Sequence, residues 1–268
     1  MNPIVLAIII VSVIGLVAGL GLAVASAVMS VPKDEKAEAI LECLPGANCG
    51  ACGFSGCSGY AAALSKGEAE NGLCSPGGSA AAKKIAGVLG VEMGEVQLKT
   101  ALVHCMGTFD NTGNKMEYQG VQSCAAANQM FGGVGSCHFG CMGLGECMQV
   151  CEYGAITVCN GVAHIDATKC RGCSKCVKAC PKGLISFEPL KPIAVVRCKN
   201  CDKGGQTGKV CKVGCIGCMK CQKACPTGAI TVEHFLASVD ATKCTGCGAC
   251  VDACPRGCVS LLKNIVQF

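Results

Sequence analysis

Cys215-Ile-Gly-Cys218-Met-Lys-Cys221-Gln-Lys-Ala-Cys225-Pro226 and Cys244-Thr-Gly-Cys247-Gly-Ala-Cys250-Val-Asp-Ala-Cys254-Pro255 are two copies of one cysteine code near the end of the chain. The spacing C-x2-C-x2-C-x3-C-P belongs to proteins that carry pairs of cubane [4Fe-4S] clusters. Three closely spaced thiolates wrap one cluster, and the fourth, before the proline, reaches across to its neighbour. The two runs therefore make a reciprocal pair. Cys215, Cys218, Cys221 and Cys254 serve one cluster; Cys225, Cys244, Cys247 and Cys250 serve the other. Paired clusters of this kind imply electron transfer.

The chain has 268 residues, 28 of them Cys and none Trp. In a short secreted chain so much cysteine would suggest a disulfide scaffold. Thiols this close together in triplets cannot pair with one another, however. Structural zinc sites usually present two separated Cys pairs, which the triplets do not resemble. Clusters need free thiolates, so assembly belongs in a reducing compartment. Formal charge is +5 with neutral thiols. Each cluster on four thiolates adds about two negative charges, so five would turn +5 into about −5. The basicity is therefore no signal for nucleic acid, and a zinc- or cluster-dependent nucleic-acid binder is disfavoured. Thirteen Lys or Arg lie from Lys169 to Lys223, against only Glu188 and Asp202. They either solvate the surface and offset cluster charge, or form a docking face for an acidic electron carrier.

Working outward to the other end, Ile4 to Val31 contain no charged side chain. At 1.5 Å per residue such a helix passes the roughly 30 Å hydrocarbon core of a bilayer. A cleaved signal peptide ending near Ala25-Ser26-Ala27 is the competing reading, but the charged n-region is missing and the apolar run is long. The first charges, Lys33, Asp34, Glu35 and Lys36, follow the run. Their bias, and more strongly the need to assemble clusters, place the C-terminal side in the cytoplasm. Gly15-x3-Gly19, followed by Gly21 and Ala25, either permits close packing against a membrane partner or reflects glycines that a lone span tolerates.

From Lys33 to about Gly94 the chain is rich in Ala and Gly. Cys49, Cys52, Cys57 and Cys74 have the spacing C-x2-C-x4-C-x16-C, enough for one cluster. Asp34 to Glu42 and Tyr60 to Lys66 read as short helices, and Cys43 as a core thiol. The remainder is an internal repeat. Val103-His-Cys105 matches Val196-Arg-Cys198, and Cys137, Cys141, Cys147 and Cys151 match Cys211, Cys215, Cys221 and Cys225. Gly-Ala-Ile-Thr-Val recurs at 154–158 and 228–232 as a strand. Strand, turn, cluster loop and short helix predict an α+β ferredoxin fold twice over. The predicted architecture is multidomain: a single transmembrane anchor (1–32), a small, mostly helical 4Fe-4S module (33–98) and two ferredoxin-like domains (99–190 and 191–268). Regions Gly94 to Thr100 and Pro189 to Pro192 are expected hinges.

One change in the repeat is informative. Cys218 corresponds to Leu144, which leaves the earlier repeat one ligand short. Cys137 is the nearest replacement, giving Cys137, Cys141, Cys147 and Cys180 on one cluster and Cys151, Cys170, Cys173 and Cys176 on the other. Of the cysteines left over, Cys159 and Cys258 fall in strand-like runs and are expected in the core. Cys105, Cys124, Cys198, Cys201 and Cys211 are either free thiols or the source of a sixth cluster. The four histidines show no metal-pair spacing, and His138 is the one candidate axial ligand among them.

The anchor, the C-x2-C-x4-C-x16-C module and the two ferredoxin pairs, in this order, resemble the B subunit of the Rnf complex, an ion-translocating ferredoxin:NAD oxidoreductase of bacterial and some archaeal membranes. Leu44-Pro-Gly-Ala-Asn-Cys49-Gly-Ala-Cys52-Gly is similar to its hallmark segment, and the second pair is similar to its longer form. Cys201 stands outside the family pattern. The resemblance implies a single-pass subunit of the cell membrane that receives electrons from soluble ferredoxin and hands them to membrane partners. Other subunits would carry flavin and NAD, and the complex would pump Na⁺ or H⁺. No G-x-G-x-x-G turn or P-loop Lys is found in this chain, in agreement. A membrane-tethered polyferredoxin adaptor for a hydrogenase, a formate system or a redox-regulator reductase is the alternative. Iron quantification separates the cluster counts: about twenty irons per chain would mean five clusters and no sixth.

Overall fold

The computed structural model describes residues 3–28, 34–92, 96 and 99–262. Helix α1 (Pro3–Val28) is about 39 Å long at 1.5 Å per residue. Its Pro3–Ala25 stretch has mean hydropathy 2.9 and none of it is buried. It is long and apolar enough to cross a membrane. A Cβ on Gly15 or Gly19 would meet open space, so that face is unpacked within this chain. Lys33, part of the charge bias noted above, lies outside the described residues.

Three helices follow: α2 (Glu35–Cys43), α3 (Cys57–Ser65) and α4 (Gly78–Leu89). Asp34 caps α2, accepting from the Ala37 amide at 3.2 Å, and also accepts from the Ser65 hydroxyl at the end of α3. Ile40, Tyr60, Leu64 and Ile85 pack between the helices. The Tyr60 hydroxyl donates to Glu70 O at 2.8 Å and accepts from Leu73 N at 3.2 Å, which fixes the segment before Cys74. Helix α3 starts three residues earlier than the apolar pattern suggests. The Asn48 side-chain oxygen accepts from Cys57 N at 2.8 Å and supplies a cap from a distant loop. Helix α4 is an addition to the sequence reading: an Ala-rich run ended by Gly90 in the left-handed region at φ 68°.

The first ferredoxin-like unit has β1 (Lys99–Val103), α5 (Cys124–Gln129), α6 (Glu146–Gln149), β2 (Ile156–Cys159), β3 (Val162–Ile165), α7 (Lys175–Ala179) and β4 (Ile185–Pro189). The second has β5 (Ala194–Val196), α8 (Gly204–Val210), α9 (Lys220–Ala224), β6 (Ile230–Glu233), β7 (Leu236–Val239), α10 (Ala249–Asp252) and β8 (Val259–Leu261). In each unit the outer strands pair antiparallel, β1 with β4 and β5 with β8. An inner hairpin pairs β2 with β3 and β6 with β7.

The two units share a seam. Successive strand residues face opposite sides. Ala101 and Val103 face the core of the first unit with Ile156, Val162 and Ile185. Ala194 and Val196 face the core of the second with Ile230 and Val259. The intervening Leu102 and Val195 meet each other's unit, packed with Ile193 and Leu262. Polar bonds cross the seam reciprocally. His104 Nδ1 lies 2.6 Å from Val196 O, and its Nε2 lies 2.6 Å from Ser186 Oγ. A carbonyl only accepts, so Nδ1 donates to Val196 O, and Ser186 Oγ in turn donates to Glu188 Oε1 at 3.3 Å. Arg197, the repeat counterpart of His104, donates from Nε to Val103 O at 3.2 Å.

The expected hinge at Pro189 to Pro192 adjoins this seam. Lys191 N donates to Pro189 O at 2.8 Å, and Ile193 is buried. The other expected hinge, Gly94 to Thr100, lies partly outside the described residues; its last residue, Thr100, is buried in β1. Leu102→Ala should cost about 2–5 kcal/mol, as buried leucine truncations do. Val121→Ala, at a site 73% exposed, should stay within about 0.5 kcal/mol. Thermal unfolding of the purified chain compares the two, and equal losses would count against the seam.

Candidate iron–sulfur centres

Local backbone sets the thiols in rings. Cys49, Cys52, Cys57 and Cys74 line one cavity, closed behind by Tyr60 and Leu44. Gly77 lies so near that a Cβ there would come 3.2 Å from Cys74 Sγ and 2.5 Å from the Ala81 methyl. Cys151, Cys170, Cys173 and Cys176 line a second cavity, and Cys215, Cys218, Cys221 and Cys254 a third. Burial pushes the Cys250 thiol up, and Cys244, Cys225 and Cys247 around it add to the rise. Cys225, Cys244 and Cys247 thus lie near Cys250, as the reciprocal pairing of the two runs predicts.

The first unit departs from expectation at one position. Cys141, Cys147 and Cys180 line their cavity with Cys124, not Cys137. Cys124 opens α5, and Ser123 caps that helix by accepting from Ala126 N at 3.1 Å. Glu146 at the start of α6 accepts from Ser123 Oγ and from Ala125 N, which holds α5 over the ring. Cys137 instead faces a separate cavity with Cys105, Cys198 and Cys211. The physical reason is the insertion: 31 residues separate Cys105 from Cys137, against 12 between Cys198 and Cys211. The longer segment brings in Cys124 on its own helix, whereas the shorter one contains only the exposed Cys201. That length difference was the signal in the sequence that could have found Cys124.

The other leftover cysteines separate cleanly. Cys201 is exposed, its Sγ turned to Lys199 O at 3.7 Å, and it joins no ring. Cys159 is exposed at the end of β2, which corrects its expected core position. Cys258 is buried, as expected, and also lines the third cavity, its sulfur 3.6 Å from that of Cys254. Cys43 is half-buried and donates to Ala39 O at 3.3 Å. His138 is exposed, its ring edge-on to Phe139.

The donor set fits iron–sulfur clusters. The rings consist of sulfur alone, on apolar walls. Among the described residues no three His, Cys, Asp or Glu side chains group as a site for a single metal ion. Backbone amides also aim at the sulfurs. Ala101 N donates to Cys170 Sγ at 3.5 Å and its counterpart Ala194 N to Cys244 Sγ at 3.4 Å. Ala155 N and Leu184 N donate to Cys151 and Cys180 at 3.4 Å. Such bonds stabilise the thiolate and tune the potential of what it holds. Burial pushes Cys176 up to about 12 and Cys147 and Cys221 to about 11. Iron binding at these positions would displace a proton.

Several of the basic residues have structural partners. Lys175 pairs with Glu152, Lys178 donates to Cys49 O at 3.2 Å, and Lys182 donates to Gly132 O and His138 O. Lys203, Lys209, Lys212, Lys220 and Lys223 are exposed.

Comparison with known proteins agrees with these thiol rings. An Fe-S cluster family model matches residues 44–76, a 4Fe-4S binding domain matches 162–185, and a 4Fe-4S dicluster domain matches 214–258. The chain is 40% identical to the B subunit of the Na(+)-translocating ferredoxin:NAD(+) oxidoreductase complex of Acetobacterium woodii, over 91% of this chain and 73% of that protein. It is 36% identical to the B subunit of the proton-translocating ferredoxin:NAD(+) oxidoreductase complex of Clostridium ljungdahlii, over 90% of this chain and 85% of that protein. It is also 38% identical to the B subunit of the ion-translocating oxidoreductase complex of Methanosarcina acetivorans, over 86% of this chain and 88% of that protein. Cysteine rings, apolar helix and similarity over about nine-tenths of its length together make this chain a member of the B-subunit family of the ion-translocating ferredoxin:NAD oxidoreductase (Rnf) complexes.

Proposed function

We propose that this chain is the electron-wire subunit of a membrane-bound, ion-translocating ferredoxin:NAD oxidoreductase. It takes electrons from reduced soluble ferredoxin and delivers them to membrane partner subunits. The observation that carries this reading is the row of thiol rings running from Cys49 to Cys254. Bound there, [4Fe-4S] clusters would supply one-electron carriers. The ligand sets are Cys49, Cys52, Cys57, Cys74; Cys124, Cys141, Cys147, Cys180; Cys151, Cys170, Cys173, Cys176; Cys215, Cys218, Cys221, Cys254; and Cys225, Cys244, Cys247, Cys250. The thiolates hold, the amides tune, and the apolar walls exclude water. No substrate bond is made or broken on this polypeptide, and flavin and NAD belong to partner subunits.

The rings follow one another. Tyr153 has both Cys173 and Cys49 near its hydroxyl, which sets the first module's ring beside the first ferredoxin pair. Helix α1 would hold the wire at the cell membrane in a single pass, with the cluster domains in the cytoplasm, and Gly15 and Gly19 would pack on a partner helix. The exposed Lys203, Lys209 and Lys212 offer an acidic ferredoxin a complementary surface. The relatives' names include both a Na(+)-translocating and a proton-translocating complex, so similarity to them leaves Na⁺ and H⁺ both open as the coupling ion.

The decisive experiment is to purify the native complex from membranes, identify its subunits, and assay ferredoxin-dependent NAD reduction with and without Na⁺. Copurification with a hydrogenase or formate enzyme instead would favour the adaptor reading. Two variants refine the result. Cys124→Ala should degrade one cluster and lower iron by about one to four atoms per chain, whereas Cys159→Ala should leave iron unchanged. Reversing charge at Lys203, Lys209 and Lys212 together should slow the second-order reaction with reduced ferredoxin on the order of tenfold at low salt, with the difference vanishing at high salt. A salt-independent loss would argue against docking there.

A further inference from the structure

Four of the thiols outside those ligand sets are not scattered. Cys105, Cys137, Cys198 and Cys211 line one cavity between the two ferredoxin-like units. It spans about 390 Å³ including its mouth, within the range of about 310 to 420 Å³ for the other thiol-lined cavities. Cys105 and Cys211 are buried, and Cys137 and Cys198 half-buried.

The four obey the internal repeat. Cys105 and Cys198 are counterparts, as are Cys137 and Cys211. Their surroundings repeat as well. Cys105 Sγ accepts from Gly107 N and Cys141 N, both at 3.4 Å. Cys198 Sγ accepts from the counterparts Asn200 N and Cys215 N, also at 3.4 Å. A Cβ on Gly140 would lie 3.7 Å from Cys137 Sγ, and one on its counterpart Gly214 would lie 3.7 Å from Cys211 Sγ. The Asn200 side chain donates to Cys137 Sγ at 3.4 Å. Each sulfur thus meets either paired amides or a close glycine, the same treatment the neighbouring rings receive.

We propose that Cys105, Cys137, Cys198 and Cys211 hold a sixth [4Fe-4S] cluster between the two ferredoxin-like units. The proposal rests on the reading that this chain carries [4Fe-4S] clusters at all. Each unit supplies two ligands, so neither holds the cluster alone. A bridge between the two units runs directly beside the site. Thr112 bridges to Cys211, its hydroxyl donating to Val210 O at 2.7 Å, and Lys212 N donates to Asn111 O at 2.8 Å. The site also has a place in the wire. Cys141, a ligand of the first pair, donates its amide to Cys105, and Cys215, a ligand of the second pair, donates its amide to Cys198. The sixth cluster is the relay between the pairs. Cys201, three residues from Cys198, points away and takes no part.

The test uses the full chain, purified without oxygen, with iron and acid-labile sulfide counted and the reduced protein examined by EPR and Mössbauer spectroscopy. The wild type should carry about twenty-four irons, and Cys137→Ala/Cys211→Ala about twenty, with one [4Fe-4S] component missing. Cys201→Ala should match the wild type. A wild type with about twenty irons and normal [4Fe-4S] spectra would overturn the sixth cluster while leaving the wire intact. The sixth cluster falls equally if the double variant keeps all its iron. If the double variant does not fold, the wild-type count decides. A wild type with no [4Fe-4S] spectrum overturns the functional reading and the sixth cluster together.

Discussion

Four sulfurs from distant parts of the chain must meet around one centre, and the rest of this structure is arranged to let them. A C-x2-C run bends back on itself within three residues, which ordinary backbone resists. Gly172 and Gly246 solve this in the two repeats, in the left-handed region at φ 64° and 71°, which glycine enters without steric cost. Gly246 has a second duty: a Cβ there would come 1.7 Å from Pro192 O, so the turn is packed directly against the start of the second unit. The proline after each fourth cysteine ends a short helix and sends the chain into the closing strand. Cluster code and fold are thus written in the same residues.

The core reflects that economy. With no Trp, three Tyr and seven Phe, little bulk is available, and the apolar clusters are built from Ala, Val, Ile and cysteine itself. Cys147 and Cys176 belong to the first unit's core, and Cys215, Cys221 and Cys250 to the second's. Small domains with thin cores lean on metal for stability. When the ligands also form the core, binding free energy becomes folding free energy. The shared seam, where Leu102 and Val195 cover each other's strand, adds apolar burial that a single unit of this size lacks.

Much of this was legible in the sequence, and the failures have physical causes. The thiol spacings bring Cys49, Cys52, Cys57 and Cys74 together because local spacing determines local geometry. The crossing of Cys180 and Cys254 to the partner ring follows from the proline-marked run. Proximity along the chain favours Cys137, four residues from Cys141, as the substitute for a thiol at Leu144. The substitute comes from Cys124 on an inserted helix, and insertions carry no periodicity to announce where they pack. Cys159 ends a strand and so was expected inside, yet strand position fixes only the face, and its face is open. Pro189 to Pro192 looks like a hinge on composition. Gly246 packs against Pro192 O, and Ile193 beside it is buried.

The two repeats diverge where the insertion sits, and this bears on their electrochemistry. In the second repeat Cys218 is exposed, so that ring opens to water on one side. In the first, Leu144 takes the corresponding position, half-buried, and the fourth thiol comes from the half-buried Cys124 under a helix held by Glu146. Solvent exposure and amide bonding are among the factors that set cluster potential. Otherwise the rings share their ligand chemistry and turns. The exchange of one cysteine for leucine, with a thiol returned from the insertion, therefore gives two nearly identical modules different local dielectrics. Clusters bound in the two rings would then differ in solvent exposure, one of the factors that set their potentials.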